Sequence, residues 1–144
     1  MKIVVDLNII ISALIKKSLS RDIIFKPFLE FYFPETAFYK ILKYKSYIIE
    51  KSKISDNSFF ILIIRLFSYI TLISRNRLLE YREQAKRIMD NIDEDDTLFI
   101  AAAMSLGEEA VIWSDDKDFE KQKEIKVLKT MEIINYLNNK NEKK

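Results

Sequence analysis

Short apolar runs and longer amphipathic stretches alternate along the whole chain. Five runs rich in β-branched or aromatic residues predict strands, at residues 2–5, 31–33, 69–74, 110–113 and 125–128. Between these runs, apolar residues recur every three or four positions, which predicts helices. This alternation of strand and helix favours a parallel sheet with helices on both faces.

Capping residues mark several of the predicted helix boundaries. Ser20, Ser55 and Thr130 are each placed to cap the start of a helix. Gly107, the single glycine, fits the left-handed conformation that often follows a helix end. Helices are predicted over residues 7–17, 20–28, 35–51, 56–67, 79–89, 95–105 and 130–137.

The length of 144 residues fits one domain with a single core. One Gly and two Pro leave few turn-formers, which favours helices with short connections over an all-β fold. We therefore predict an α/β fold, a three-layer α/β/α sandwich with a central parallel sheet of about five strands. Residues 1–137 are predicted to form the domain, and residues 138–144 a flexible basic tail.

The chain contains no Cys and no His. Disulfides, zinc–thiolate sites, thiol nucleophiles, histidine-based triads and paired-imidazole RNA cleavage are therefore excluded. Any catalytic chemistry must therefore use carboxylates, Lys, Tyr, Ser or Thr. Carboxylates in turn indicate hard cations with oxygen ligands.

Charge and hydropathy add two expectations. The 24 basic and 22 acidic residues give a net charge of +2, which does not by itself indicate a nucleic-acid partner. Asp6 interrupts the apolar start, and the apolar stretch 59–73 contains Arg65 and is too short for a bilayer of ~30 Å. We expect a soluble, cytoplasmic protein without a membrane partner.

Acids concentrate in three groups at or near the ends of predicted strands. Asp6 ends the first strand, Asp116 and Asp118 follow the fourth, and residues 93–96 form an acidic run before it. In open parallel sheets, ligands bind beyond the carboxyl ends of the strands. Each group alone also suits a helix cap or a polar turn. Together they indicate a site for a divalent cation, because clustered like charges need a positive partner.

Three segments carry a family resemblance. IVVDLNIIISAL at residues 3–14, DEDDTLFIAAAMSLG at residues 93–107 and AVIWSDDKDF at residues 110–119 resemble the first, third and fourth motifs of PIN domains, in the same order. Most members are Mg²⁺- or Mn²⁺-dependent ribonucleases, and many are VapC-like toxins that bind an antitoxin and dimerise. The resemblance therefore implies hydrolysis of RNA with Mg²⁺ or Mn²⁺, an antitoxin partner and a homodimer.

The resemblance also implies roles for individual residues. Asp6, Asp96 and Asp116 would be the catalytic, metal-binding acids. Asn8, Ser114, Asp118 and Asp93 would support them, Asn8 and Ser114 through hydrogen bonds that orient the ligands. The metal would activate a water for attack on the phosphodiester, so no protein nucleophile is needed.

The sequence departs from the PIN pattern at one position. Lys40 stands where the second motif usually has Glu. Its ammonium would either replace the metal by pairing with Asp6 and Asp96 or point outward along the surface. Glu35 lies on a different face of the predicted helix and is a weaker replacement. Three aspartates with water would still suffice for Mg²⁺.

Two other classes of function are alternatives. A catalytically inactive PIN-like module would bind RNA or a protein partner, with Lys40 neutralising the site. A phosphotransfer enzyme would require Asp where Asn8 stands, and dinucleotide binding would require a glycine-rich turn. Basic residues form either an RNA path or a solvated face, namely Lys43, Lys45, Lys51, Arg75, Arg77 and the tail.

Overall fold

The computed structural model describes residues 1–89 and 94–142. Its sheet contains five strands, all parallel, in the order β3-β2-β1-β4-β5. The strands are β1 Lys2–Val5, β2 Glu30–Pro34, β3 Ile70–Ile73, β4 Val111–Trp113 and β5 Lys126–Leu128. The predicted parallel sheet of five strands is confirmed.

Helices form the outer layers of an α/β/α sandwich, as predicted. Helix α7 lies against β1, β2 and β4, with α6 packed along it, whereas α1 contacts α2, α3, α4 and α5. The described residues form helices α1 Leu7–Ile15, α2 Leu19–Ile24, α3 Phe38–Lys43, α4 Lys45–Ser52, α5 Asp56–Phe67, α6 Arg75–Ile88, α7 Glu94–Ser105 and α8 Thr130–Glu142. Two short 3₁₀ turns cover Glu35–Ala37 and Lys117–Lys121.

The register of the two central strands determines where the site lies. β1 and β4 are buried except at Lys2, and Val5 of β1 lies opposite Trp113 of β4. The next residues along both strands, Asp6 and Ser114, are therefore neighbours at the carboxyl edge of the sheet. The strand order also changes direction between β1 and β4, which is the topological position where parallel α/β sheets bind ligands.

Two of the predicted caps can be compared directly with the structure. Ser55 caps α5 by accepting a hydrogen bond from the Ser58 amide, as predicted. The prediction for Ser20 was wrong, because Ser18 accepts from the Arg21 amide and α2 begins at Leu19. Gly107 has a φ of +103°, in the left-handed region that glycine tolerates best.

Several helix boundaries also differ from the prediction, among them the ends of α1 at Ile15 and of α2 at Ile24. The helix predicted over residues 35–51 is divided into a 3₁₀ turn, α3 and α4, with a break at Tyr44. Helix α6 begins at Arg75 rather than residue 79, because the Ser74 side chain caps it by accepting from the Arg77 amide. Helix α8 continues to Glu142, beyond residue 137. The division into a domain of residues 1–137 and a tail of residues 138–144 stays a prediction.

In residues 1–89 and 94–142, none of the helices combines the length and the apolar character needed to span a bilayer.

Candidate active site

A hydrogen bond joins the ends of the two central strands. Ser114, directly after β4, donates from Oγ to Asp6 Oδ2, directly after β1, over 2.8 Å. The Asp6 amide extends the strand pairing by donating to the Trp113 carbonyl at 3.0 Å. Both side chains are buried. The fold therefore holds the Asp6 carboxylate in one orientation at the point where the strand order reverses.

The segment after β4 continues this hydrogen-bonded chain. The Asp116 amide donates to Ser114 Oγ at 3.0 Å, and the Asp118 amide donates to Asp116 Oδ1 at 3.0 Å. Ser114 thus accepts from one acid's backbone and donates to the other acid's carboxylate. This arrangement holds Asp6 and Asp116 close together on either side of Ser114 and fixes the turn that contains Asp116.

Burial makes the Asp6 carboxylate hard to ionise. The pKa of Asp6 is raised from 3.8 to about 6, chiefly by burial. The hydrogen bonds from Ser114 and the Leu7 amide lower the pKa, whereas the negative charges of Asp116 and Asp115 raise it. A nearby cation would reverse this balance by stabilising the ionised form.

Asn8 and Asp116 border the same cavity. This cavity of about 280 Å³ is lined by Asn8, Ile9, Ser12, Ser20, Asp115 and Asp116. Asn8 is exposed in the first turn of α1, so its amide is open to solvent beside the acids. Its predicted role in orienting metal ligands stays a prediction.

Asp115 has a structural role that the sequence did not indicate. Its carboxylate accepts from the Thr130 amide at 2.9 Å and from Thr130 Oγ1 at 2.7 Å. Trp113 Nε1 donates to the same Thr130 hydroxyl at 2.9 Å. Asp115 therefore caps α8, so the prediction that Thr130 is the cap was wrong, because Thr130 is the first residue of the helix. Of the two consecutive acids, Asp116 is the one whose amide donates to Ser114.

The other predicted acids lie in different surroundings. Asp118 is partly exposed and forms an ion pair with Lys121 at 3.3 Å. Asp96 is half-buried at the start of α7, the helix that lies against β1 and β4. Asp93 lies outside the described residues, so its predicted supporting role stays a prediction.

Comparison with known families agrees with this geometry. The family model described as PIN domain matches residues 4–138, a range that includes Asp6, Asp96 and Asp116. The chain belongs to the PIN domain family. PIN domains form a nuclease superfamily, so the assignment supports a nuclease. No curated protein sequence gives a significant match.

Within this PIN domain, Lys40 lies beside the third motif. It is buried on α3, and its Nζ lies 2.5 Å from Oδ1 of Asp95, the residue that precedes Asp96. Asp95 is 63% exposed, so the pair joins a buried cation to an acid at the surface. The alternative that Lys40 points freely outward is therefore wrong.

Glu35, the weaker candidate for the acid of the second motif, is hydrogen-bonded to the start of α6. Its carboxylate accepts from the Arg75 amide at 3.1 Å, so it helps to cap the start of α6, the helix that follows β3. Because an acid at a helix start interacts favourably with the helix dipole, this position serves the fold. The prediction that Glu35 is a weak substitute agrees with this contact.

The acids of this PIN domain suit a hard cation by ligand type. Asp6 and Asp116 offer carboxylate oxygens, and among the described residues the causes that shift the pKa of Asp6 include no positive charge. In the described part of the chain, however, no three acids stand close enough together to form a metal cage. Mg²⁺ keeps several water ligands, so one or two carboxylates are enough to hold it.

Proposed function

We propose that this PIN domain is a metal-dependent endoribonuclease with its site at the carboxyl ends of β1 and β4. The observation that carries the proposal is the hydrogen-bonded chain from Asp116 through Ser114 to Asp6. It holds two acids at the topological switch point of the sheet, the position at which parallel α/β sheets bind ligands. A buried carboxylate with a raised pKa is costly to the fold, which is typical of a functional site.

In this proposal Asp6, Asp96 and Asp116 surround Mg²⁺ or Mn²⁺, with one or two of them binding the ion directly and the rest acting through its water ligands. Asp118 and Asp93 lie in supporting positions. When bound, the ion supplies a Lewis acid and lowers the pKa of a coordinated water. Ser114 orients Asp6 and favours its ionised form by donating to Oδ2. Asn8, at the rim of the same cavity as Asp116, is open to hydrogen-bond the phosphate or a ligand water.

A second cavity next to the acids supports RNA as the substrate. This cavity of about 550 Å³ shares Asn8 and Ser12 with the first, and Lys16, Tyr44, Tyr47 and Lys51 line its far side. The two tyrosines are 45% and 47% exposed. Exposed aromatic rings next to lysines suit single-stranded nucleic acid, because bases stack on the rings and phosphates pair with the ammonium groups.

The role as a toxin, the antitoxin partner and the homodimer are further parts of the proposal. Helix α5 presents Phe60, Ile61 and Ile64 to solvent, with Ile64 71% exposed. Large apolar side chains grouped on one surface support an interface with another chain. Size-exclusion chromatography with light scattering of the purified chain tests for the homodimer. The expected mass is about twice the monomer mass of 17.2 kDa.

A specific contact favours a second candidate function. The ion pair of Lys40 with Asp95 places a fixed positive charge one residue from Asp96. Such a charge disfavours a divalent cation nearby. In this alternative the domain is catalytically inactive and binds RNA or a protein partner without metal.

Calorimetric titration with Mn²⁺ separates the two candidates. The native chain, Asp6→Asn and Lys40→Glu are compared in the same buffer, with Asp56→Asn as the control, because Asp56 is an exposed acid in the first turn of α5. A ribonuclease requires Mn²⁺ binding by the native chain and its loss in Asp6→Asn. Binding by Lys40→Glu alone would mean that Lys40 has taken the place of the metal and would support the inactive module.

A further inference from the structure

A groove between α6 and α7 lies apart from the two cavities described above and from the acids that follow β1 and β4. Its volume is about 300 Å³. Thr36, Arg75, Leu78, Leu79, Arg82, Lys86, Asp95, Thr97, Leu98 and Ala101 line it. Thr36 follows β2, Arg75 follows β3, and Asp95 lies in the first turn of α7. One end of the groove therefore opens at the carboxyl edge of the sheet, where the Asp6 site also lies.

Three cations form a row along this groove. Arg82 follows Arg75 by seven residues, and Lys86 follows Arg82 by four. At 3.6 residues per turn, this spacing places all three within about 40° of one another and spreads them over about 16 Å of helix. A single phosphate would need one cluster of cations, whereas an extended row matches successive phosphates of one strand.

In the described part of the chain, ion pairs do not neutralise the row. Within residues 1–89 and 94–142, the side chains of Arg75, Arg82 and Lys86 take part in none of the ion pairs. The acid in the lining, Asp95, is paired with Lys40. The positive potential of the row is therefore available to an anion.

The wall of the groove supplies polar and apolar contacts besides the charges. Thr36 has a buried hydroxyl without a hydrogen-bond partner in the described part of the chain. A buried polar atom of this kind costs stability unless a ligand or an ordered water satisfies it. Leu79 is 47% exposed and lines the groove together with Leu98. A ligand with anionic groups and a flat apolar part, such as a nucleotide unit, fits both features.

We propose that the α6–α7 groove binds the backbone phosphates of single-stranded RNA and leads the strand to the Asp6 site. The inference rests on the proposed function for its substrate class. Arg82 and Lys86 bind phosphates, Arg75 lies at the end nearest the carboxyl edge, and Leu79 contacts a base or ribose. The strand thus reaches the acids from the α6–α7 side, in addition to the cavity that Tyr44 and Tyr47 line.

The test measures binding of a fluorescently labelled single-stranded RNA by anisotropy, in EDTA and in the Asp6→Asn chain so that no cleavage occurs. The double variant Arg82→Gln with Lys86→Gln is compared with Arg87→Gln with Lys123→Gln. The control pair removes the same charge from exposed positions, Arg87 lying about 140° around α6 from Arg82. We expect about tenfold weaker binding for the groove variant. Its salt slope should also fall by about 1.4, the value for two lost phosphate contacts on a single strand.

A second variant does not remove a charge. Thr36→Val keeps the shape of the side chain and removes the unpartnered hydroxyl, so the fold should keep or gain stability while RNA affinity falls about threefold. Circular dichroism and thermal melting confirm that each variant is folded. If both groove variants bind RNA as the control pair does, or if the parent chain binds no RNA, the proposal is overturned.

Two further experiments complete the test. The first distinguishes RNA from a free nucleotide as the ligand of the groove, and the second distinguishes failure of the nuclease proposal from failure of the groove proposal. AMP and inorganic phosphate are titrated as competitors. Displacement of RNA at micromolar AMP would mean a free-nucleotide site and would overturn the RNA path. If the native chain cleaves no RNA with Mn²⁺ while the groove variants still weaken RNA binding, the nuclease proposal fails and the groove proposal stands. If the native chain cleaves RNA but the groove variants bind it unchanged, the nuclease proposal stands and the groove proposal fails.

Discussion

Ser114 Oγ lies 2.8 Å from Asp6 Oδ2, although the two residues are 108 positions apart in the sequence. The bond exists because β1 and β4 are neighbours in the sheet and Val5 pairs with Trp113. It joins the first and the last of the family motifs across the switch point. The same hydroxyl also holds the Asp116 turn, so one side chain organises both acids.

Replacing Ser114 with Ala should weaken metal binding. Because the Ser114 hydrogen bond lowers the pKa of Asp6, its loss raises that pKa further and disfavours the ionised ligand. Loss of such an orienting partner costs roughly 10- to 100-fold in metal affinity. Mn²⁺ calorimetry of Ser114→Ala at pH 7 measures the effect. Ser105→Ala is the matched control, because Ser105 is also buried but donates to the Ala102 carbonyl in α7. Equal affinities for the two variants would refute this role of Ser114.

Replacing Asp6 with Asn should stabilise the metal-free protein at neutral pH. The pKa of Asp6 is raised from 3.8 to about 6 in the folded protein. Asp6 therefore contributes its full stabilisation of the folded state only at a pH below the pKa that it has in the unfolded chain. That contribution is lost as the pH rises through about 6. The shift of about two units corresponds to about 3 kcal/mol by pH 7.

Urea unfolding of Asp6→Asn and the native chain, in EDTA from pH 3.5 to 8, measures this dependence. The gain should be largest above pH 6 and should vanish near pH 3.5. Asp118→Asn serves as the control, since Asp118 is partly exposed. A variant that is less stable than the native chain at every pH would show that the buried carboxylate is not a cost to the fold.

Asp115 should contribute to stability rather than to metal binding. Its carboxylate caps α8 through the Thr130 amide and hydroxyl, so Asp115→Ala should lower the free energy of unfolding by about 1 kcal/mol. Chemical denaturation measures this change, and Mn²⁺ calorimetry of the same variant should give an affinity within about threefold of the native value. A large loss of Mn²⁺ affinity with unchanged stability would assign Asp115 to the metal site instead.

Removal of the Lys40 charge should strengthen metal binding. Lys40→Met keeps most of the side-chain volume but removes the positive charge that lies 2.5 Å from Asp95. A unit charge at roughly 10 Å in a partly screened site changes divalent-ion affinity by roughly fivefold. Calorimetry compares this variant with Lys43→Met, which lies on the same helix with its ammonium over the Tyr39 ring. If both variants bind Mn²⁺ as the native chain does, Lys40 has no influence on the site.

The sheet could be predicted because each strand is a short run containing β-branched or aromatic residues, and the two central strands are buried. Its parallel arrangement followed from the helices between the strands. The place of the acids also followed from local sequence, because Asp6 and Ser114 directly follow their strands. Both features depend on residues that are adjacent in the chain.

The details that the sequence did not give depend on contacts between distant segments. Asp115 and Asp116 are chemically identical neighbours, and the position of Thr130 decides which of them caps α8. Ser18 and Ser20 are both suitable caps. Arg21 anchors α2 by donating from Nε to the Ala13 carbonyl at 2.7 Å, and Ser18 is the serine that caps the helix. The partner of Lys40 likewise depends on how α3 packs beside α7.

Cleavage of RNA in the presence of Mn²⁺ tests the central claim most directly. A single-stranded RNA labelled with a fluorophore and a quencher is incubated with the native chain, Asp6→Asn and Asp116→Asn, each purified identically, with and without EDTA. The account predicts Mn²⁺-dependent cleavage by the native chain and at least a hundredfold slower cleavage by each variant, roughly the effect of losing an essential charge at the site. Cleavage that persists in Asp6→Asn, or no cleavage by a native chain that binds Mn²⁺, would contradict it.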